Sequence, residues 1–418
     1  MKIKWVLITT VLTLKAILLF AGTPNKDFIS SAKKGNIAAL KSALNRGANV
    51  NAKDFWGLTA MMWAARKGHF NIVQYLISKD ADVNAKSKSR ITALIEAAEN
   101  GRKKIAFLLV EKGANIFAKT KYGRTVLINA ARSGNLEIVK LLLSKGANIK
   151  AKDKGGYSVL MHAAGSGNLK LIKFLLSKGA GLHTKTKNGC TAFLQAVAFR
   201  KWNIVKYLLS KGVNVNGKFG FKYSGVINIP LINAVKFGRI DVVKPLLSKG
   251  ANINVKDNYG RTALSMAIKF GRLKIIRLLL SKNADTNIKD VWGYTVLMNT
   301  VWRHNKLKRT DRLNVVRLLL SKDAKVNVTD KYGGTPLIYA VGSADYDIIL
   351  YILKAGARVN YRTSTGRTAL WFAYYYLGHR RINNRARFRI IHLLRRYKAR
   401  VFRARGKCKI EDFSFGGR

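Results

Sequence analysis

The chain has 418 residues, with 78 Lys and Arg against 20 Asp and Glu, a formal net charge of +58. Hydrophobic residues make up 48%, which excludes a disordered polycation and leaves enough apolar material for a large core. Two cysteines exclude a disulfide framework, and no zinc-type spacing occurs.

Residues 1–24 differ from the rest. Lys2 and Lys4 precede an apolar run from Trp5, and small residues follow at Ala21 and Gly22. That is the layout of a secretory signal peptide. Lys15 interrupts the run, and at ~1.5 Å per residue the stretch from Trp5 to Ala21 is barely a membrane span. A cleaved leader is expected first, with a mature N-terminus near Ala21 to Pro24. The alternatives are an uncleaved signal anchor, which would keep Lys2 and Lys4 in the cytosol, and a buried helix. Export to a periplasmic, extracellular or host location is the expectation.

From residue 26 one phrase recurs. Its helix-ending residue falls at Gly47, Asp80, Gly113, Gly146, Gly179, Gly212, Gly250, Asn283, Asp323 and Gly356. The steps are 33, except for 38 before Gly250 and 40 before Asp323. A fixed period of this size means a stacked array. Each repeat reads as a turn, a short helix, a second turn and a longer helix with one apolar stripe. Helix N-caps are predicted at Thr59, Thr92, Thr125, Ser158, Thr191, Thr262, Thr295, Thr335 and Thr368. The Gly column predicts a left-handed residue after the second helix. Its replacements, Asp80, Asn283 and Asp323, are the side chains that best tolerate that region. A half-repeat over 26–53 precedes ten repeats that reach residue 401, and 402–418 reads as a basic tail. Repeat six reads as the weakest, with an expanded hairpin and with Pro245 inside its second helix, where a Pro removes a bond and can kink the helix. Inserts fall between the helices of repeats eight and ten. Lys398, where Gly belongs, predicts an irregular end to the stack. Phe388, Ile390, Ile391, Leu393 and Leu394 are predicted to cover repeat nine.

The unit resembles the ankyrin repeat. The matching stretches are "DFWGLTAMMWAARKGHFNIVQYLISKDADVNAK" (54–86), "TKYGRTVLINAARSGNLEIVKLLLSKGANIKAK" (120–152) and "DNYGRTALSMAIKFGRLKIIRLLLSKNADTNIK" (257–289). The resemblance covers about 26–401. It implies an all-α repeat solenoid of stacked helix-turn-helix units with β-hairpin turns. It also implies that hairpin tips and first helices form a concave binding face. The family's Thr-Pro-Leu-His is altered throughout, and its His is never present. Apolar packing by Met62, Ile95, Ile128, Met161 or Ile338 is expected in its place.

No nucleophile and base share a recognisable spacing. The six histidines, His69, His162, His183, His304, His379 and His392, are scattered as turn or surface residues, with no metal pair on a helix face. Cys190 and Cys408 read as free thiols, and Asn327 begins a lone glycosylation-type triplet. No enzyme, cofactor or metal is expected.

The charge is columnar. Only five Glu occur, five of the fifteen Asp are turn residues, and no acid lies between Asp153 and Asp241. One lysine column ends the second helices: Lys79, Lys145, Lys178, Lys211, Lys249, Lys282 and Lys322. The helix dipole accounts for it. The other lies in the hairpins: Lys53, Lys86, Lys119, Lys152, Lys185, Lys218, Lys256 and Lys289. No helix end explains that row, and no local partner is evident for it. Neighbours ~10 Å apart repel by only about 0.4 kcal/mol in water, so the row costs little and projects a positive field. Trp56, Tyr122, Tyr259, Trp292 and Tyr332 stand just before the turn Gly. Phe199, Phe237, Phe270 and Trp302 are expected to extend the face. Basic and aromatic residues together suit a macromolecular partner. A protein with an acidic surface is expected first. An anionic membrane or cell-wall polymer comes second, nucleic acid is a weaker alternative, and the solenoid is expected to be monomeric.

Overall fold

Local hydrogen bonds set where each helix starts and stops. In the computed structural model, which describes residues 23–220, 227–302, 305–377 and 383–399, all nine predicted N-caps are in place. Each Thr or Ser hydroxyl accepts the N–H three residues on: Met62 N–H donates to Thr59 Oγ1 at 3.3 Å, and Met161 N–H to Ser158 Oγ at 3.4 Å. Repeat six lacks such a cap and opens on Pro230, whose missing N–H would have no helical partner there.

The first helices are Ala60–Lys67, Ala93–Glu99, Val126–Ser133, Val159–Ser166, Ala192–Ala198, Pro230–Lys236, Ala263–Lys269, Val296–Val301, Pro336–Ser343 and Ala369–Trp371. The second helices are Phe70–Ile77, Lys103–Glu111, Leu136–Ser144, Leu169–Ser177, Trp202–Ser210, Ile240–Ser248, Leu273–Ser281, Arg309–Leu320, Tyr346–Lys354 and Asn384–Arg396. They form two compact bodies, one ending at Val213 and one beginning at Asn214. Within each, first helices pack on first helices, and their Ala, Leu, Met and Ile side chains form the core. Met62, Ile95, Ile128, Met161 and Ile338 are all buried there, as expected. The fold is a helical repeat solenoid.

The N-terminal half-repeat is a complete helix pair, Pro24–Lys34 and Ile37–Asn45, with Phe28, Ala32, Leu40 and Ala43 buried. Its first helix therefore starts two residues before 26. The hairpins themselves are minimal. Among the described residues, repeat six alone has paired strands, Phe219–Gly220 with Ile227–Asn228, while Lys53–Thr59, Lys119–Thr125 and Lys152–Ser158 form single bridges.

The second helix of repeat six is continuous through Pro245, with Val242, Val243 and Leu246 buried and Lys249 N–H donating to the Pro245 carbonyl. Two expectations are corrected. Phe388 is 59% exposed, since Ile390, Ile391 and Leu394 define the buried stripe and Phe388 lies off it. Lys398 does not end the stack irregularly. It takes φ +62°, the same left-handed turn as Gly146 at +88° and Gly179 at +83°. A side chain with a Cβ makes that turn at a cost of about 1 kcal/mol. Lys398→Gly should therefore raise stability by about 1 kcal/mol, read as a higher denaturant midpoint at unchanged slope. A midpoint equal to or below wild type contradicts it.

The inserts are absorbed differently. In repeat eight, the Asn305 amide caps the first helix by donating to the Asn299, Thr300 and Trp302 carbonyls. Arg309 then reaches Asp345 and Asp347 in repeat nine, at 3.0 and 2.6 Å. In repeat ten the first helix passes into a π-helical turn, Phe372–Tyr376. The leader and the 402–418 tail lie outside the described residues.

Candidate interaction surface

The hairpin is built around one inward residue. Asp54 Oδ1 accepts the N–H groups of Trp56 and Leu58 at 2.9 and 2.8 Å, and Asp153, Asp257, Asp290 and Asp330 repeat the arrangement. Ser87, Thr120, Thr186 and Thr363 do the same with a hydroxyl and one N–H. Because this residue turns inward, both of its neighbours face solvent. Lys53, Lys86, Lys119, Lys152 and Lys185 are all exposed in the N-terminal body, and Lys218, Lys256 and Lys289 are exposed in the other.

The second neighbour forms a further column. Lys88, Lys121, Lys154 and Lys187 follow the first row by two residues and are also exposed. Lys-x-Lys thus recurs four times running, at 86–88, 119–121, 152–154 and 185–187. The 33-residue register already contained this signal. In three of the four hairpins the middle residue is the neutral Ser87, Thr120 or Thr186, so no carboxylate sits between the two cations. At about 3.3 Å per residue the paired lysines are roughly 7 Å apart along the strand. Tip-to-tip hydrogen bonds hold the hairpins in step: Lys88 N–H to the Trp56 carbonyl (3.1 Å), Lys121 to Ser89 (2.8 Å) and Lys154 to Tyr122 (3.0 Å).

Not every hairpin lysine lacks a local partner. Lys289 Nζ donates to the Thr329 carbonyl at 2.7 Å, and Lys53 Nζ to that of Lys86 at 3.4 Å. Stacked repeats bring a neighbouring carbonyl within reach of the long side chain.

The aromatics divide. Trp56 and Tyr122 are 61% and 65% exposed. Phe55, which periodicity did not single out, sits edge-on to Trp56 at 5.9 Å, with the Lys88 ammonium 4.6 Å over its ring. In the C-terminal body, Tyr259 and Trp292 stack on each other at 6.0 Å and 7°, and Tyr332 is exposed. Phe199, Phe237 and Phe270 close their first helices, Phe199 exposed and the others half-buried. Trp302 is half-buried and packed among rings. Its ring lies 4.6 Å from Tyr339 and 6.4 Å from Tyr294, inside a cluster where the Tyr339 hydroxyl donates to Asp330.

The other lysine column is structural. Lys145, Lys178, Lys211, Lys249 and Lys282 sit at helix C-caps, and the preceding Ser hydroxyl donates back to a helix-end carbonyl, as Ser144 does to Leu141 at 2.8 Å.

Acids are held in place. Glu96, only 2% exposed, receives a two-pronged guanidinium contact from Arg66 at 2.7 and 2.8 Å. Glu99 pairs with Arg132. His162 is neither a bare turn nor a surface residue, since its Nε2 lies 2.9 Å from Asp153 Oδ2. Burial alone would raise the Asp153 pKa. The His162 contact and the N–H groups of Tyr157 and Gly155 outweigh it and hold the carboxyl below its ordinary range. Trp63 Nε1–H occupies the equivalent place on Asp54. Burial pushes the Cys190 thiol up to about 12, leaving a poor nucleophile at neutral pH.

A ladder of asparagines, unrecognised in the sequence, joins successive repeats. The Asn84 amide accepts Asn115 N–H at 2.7 Å and donates to the Gly113 carbonyl at 3.1 Å, and Asn216, Asn287 and Asn327 act likewise in the C-terminal body. The Asn327 nitrogen, the atom a glycan would occupy, is thus already engaged.

A family model described as ankyrin repeats (3 copies) matches residues 28–120, 86–153, 127–219, 223–290 and 304–384. A comparison with curated proteins finds no match. Ankyrin repeats mediate protein–protein interaction in general, and the helix pairs, capping threonines and hairpins above are that scaffold. The chain belongs to the ankyrin repeat family.

Proposed function

We propose that this protein is an exported, non-enzymatic scaffold that binds a protein partner with an acidic surface through its hairpin face. One observation carries the reading: the four Lys-x-Lys hairpins present eight exposed lysines in a regular grid, with Trp56 and Tyr122 beside it. Clustered cations steer an acidic partner, and the exposed rings add contact area. Binding of an acidic protein by wild type and by a variant with the hairpin row neutralised tests it. Export rests on the composition of residues 1–24, and N-terminal sequencing of the native protein decides it. The expected start lies between Ala21 and Pro24, while an intact Met1 in the soluble cytosol would sink export.

A further inference from the structure

The asparagine ladder has a gap. Residues equivalent to Asn51 and Asn84 are Phe117, Lys150 and His183, and Asn resumes at Asn216. The amides they would bridge are left over. Among the described residues, the Asn148 and Gly181 N–H groups have no protein acceptor. Below Lys150 the gap opens into a cleft of about 370 Å³, lined by Lys150, Lys152, Gly179, Gly181 and Thr184 among others. Its polar lining combines two lysines and the Gly181 N–H with the Ser158 and Thr184 hydroxyls, and the Gly179 carbonyl is the counterpart of the Gly113 carbonyl to which Asn84 donates. Asp153, the nearest acid in sequence, is turned inward onto His162 and its own hairpin amides. Gly181, where the preceding repeats have Asp82, Asn115 and Asn148, leaves the Thr184 hydroxyl close to the backbone, since a Cβ there would lie 2.5 Å from Thr184 Oγ1.

We infer that this cleft is a carboxylate-binding site that receives an Asp or Glu side chain from an extended acidic segment of the partner. The inference rests on the acidic-protein reading above and locates its anchor. In intact rungs the Gly181-type N–H is taken by a planar carboxamide oxygen, as Asn84 shows for Asn115. A carboxylate offers that N–H the same planar oxygen, and, having no N–H for the Gly179 carbonyl, it turns its second oxygen to Lys150 or Lys152. Lys150 and Lys152 add the charge that a carboxamide does not need. The Phe117 gap repeats the vacancy one repeat earlier, at the Asn148 N–H. Neighbouring repeats ~10 Å apart match one turn of a polyproline-II chain, three residues at about 3.1 Å each, so acids at every third position share a face and suit these two gaps.

Lys150→Asn tests it by restoring the missing rung. The probe is a fluorescein-labelled peptide of ten glutamates, titrated at low salt into wild type, Lys150→Asn, Lys150→Met and Lys178→Gln, with folding of each checked by circular dichroism. Charge-assisted hydrogen bonds of about 1.5–3 kcal/mol predict a loss of roughly tenfold or more for Lys150→Asn, whose side chain fills the cleft. Its melting temperature should rise, as a rung is gained. Lys150→Met, which leaves the cleft open, should lose less. Lys178→Gln, a single charge at a helix end, should lose under about twofold. Equal losses for Lys150→Asn and Lys178→Gln overturn the site. So does an equal Lys150→Asn loss toward inorganic polyphosphate, which would make it an indifferent anion site. If Lys150→Asn binds as wild type while neutralising the hairpin row abolishes binding, the cleft is refuted and the proposed function stands. If wild type does not bind the peptide, the proposed function fails with it.

Discussion

Deleting residues 386–418 should unfold the C-terminal repeats, whereas deleting 403–418 should leave the melt unchanged. Ile390, Ile391, Leu393 and Leu394 are all buried, on the helix that packs against Tyr346–Lys354 of repeat nine. Burial of each such side chain contributes about 1.5–3 kcal/mol. In an array each repeat contacts only its neighbours, so the side of Tyr346–Lys354 that faces this helix loses its cover once the helix is gone, while repeat eight and Pro336–Ser343 still cover the rest. Exposed apolar surface of that extent frays a stack from its end. Hydrogen exchange should lose protection over 336–377 first, and should leave the N-terminal body untouched. Equal melting profiles for the two truncations would refute the role of the last helix.

Replacing Lys86, Lys119, Lys152 and Lys185 with Gln should weaken binding of an acidic protein by about 1–3 kcal/mol, or roughly ten- to a hundredfold at low salt. The salt dependence should flatten with it. All four side chains are exposed, and three of them flank a neutral turn residue, so stability should hold or rise slightly as repulsion falls. Replacing Lys145, Lys178, Lys211 and Lys249 should act in reverse. Each caps a helix end, where a cation is worth about 0.3–1 kcal/mol, and their loss should lower the melting temperature while sparing specific binding. Isotherms at two salt concentrations beside thermal melts make the comparison. Equal weakening by both sets would reduce the charge to a diffuse field, and would favour adhesion to an anionic polymer over recognition of a protein.

What the residues by themselves determined was local. Thr59 and its eight counterparts cap helices through an N–H three residues away, and Gly146, Asp80 and Asn283 take the left-handed turn because of their own φ preference. Such demands are met within a few residues, so a single line of sequence displays them. The rows of exposed lysine were legible for the same reason, since the 33-residue register places them and the inward turn residue aims them outward. Tertiary structure decided whatever passes between repeats. Asn84 finds its partners 29 and 31 residues on, Arg66 reaches Glu96 across 30, and Lys289 meets Thr329 across 40. Phe388 was misplaced because a helix sequence shows which residues are apolar, but not which neighbour will cover them. The break in the ladder at Lys150 likewise has no meaning along the chain. It becomes a cleft only when stacking sets its empty place against the Gly181 amide.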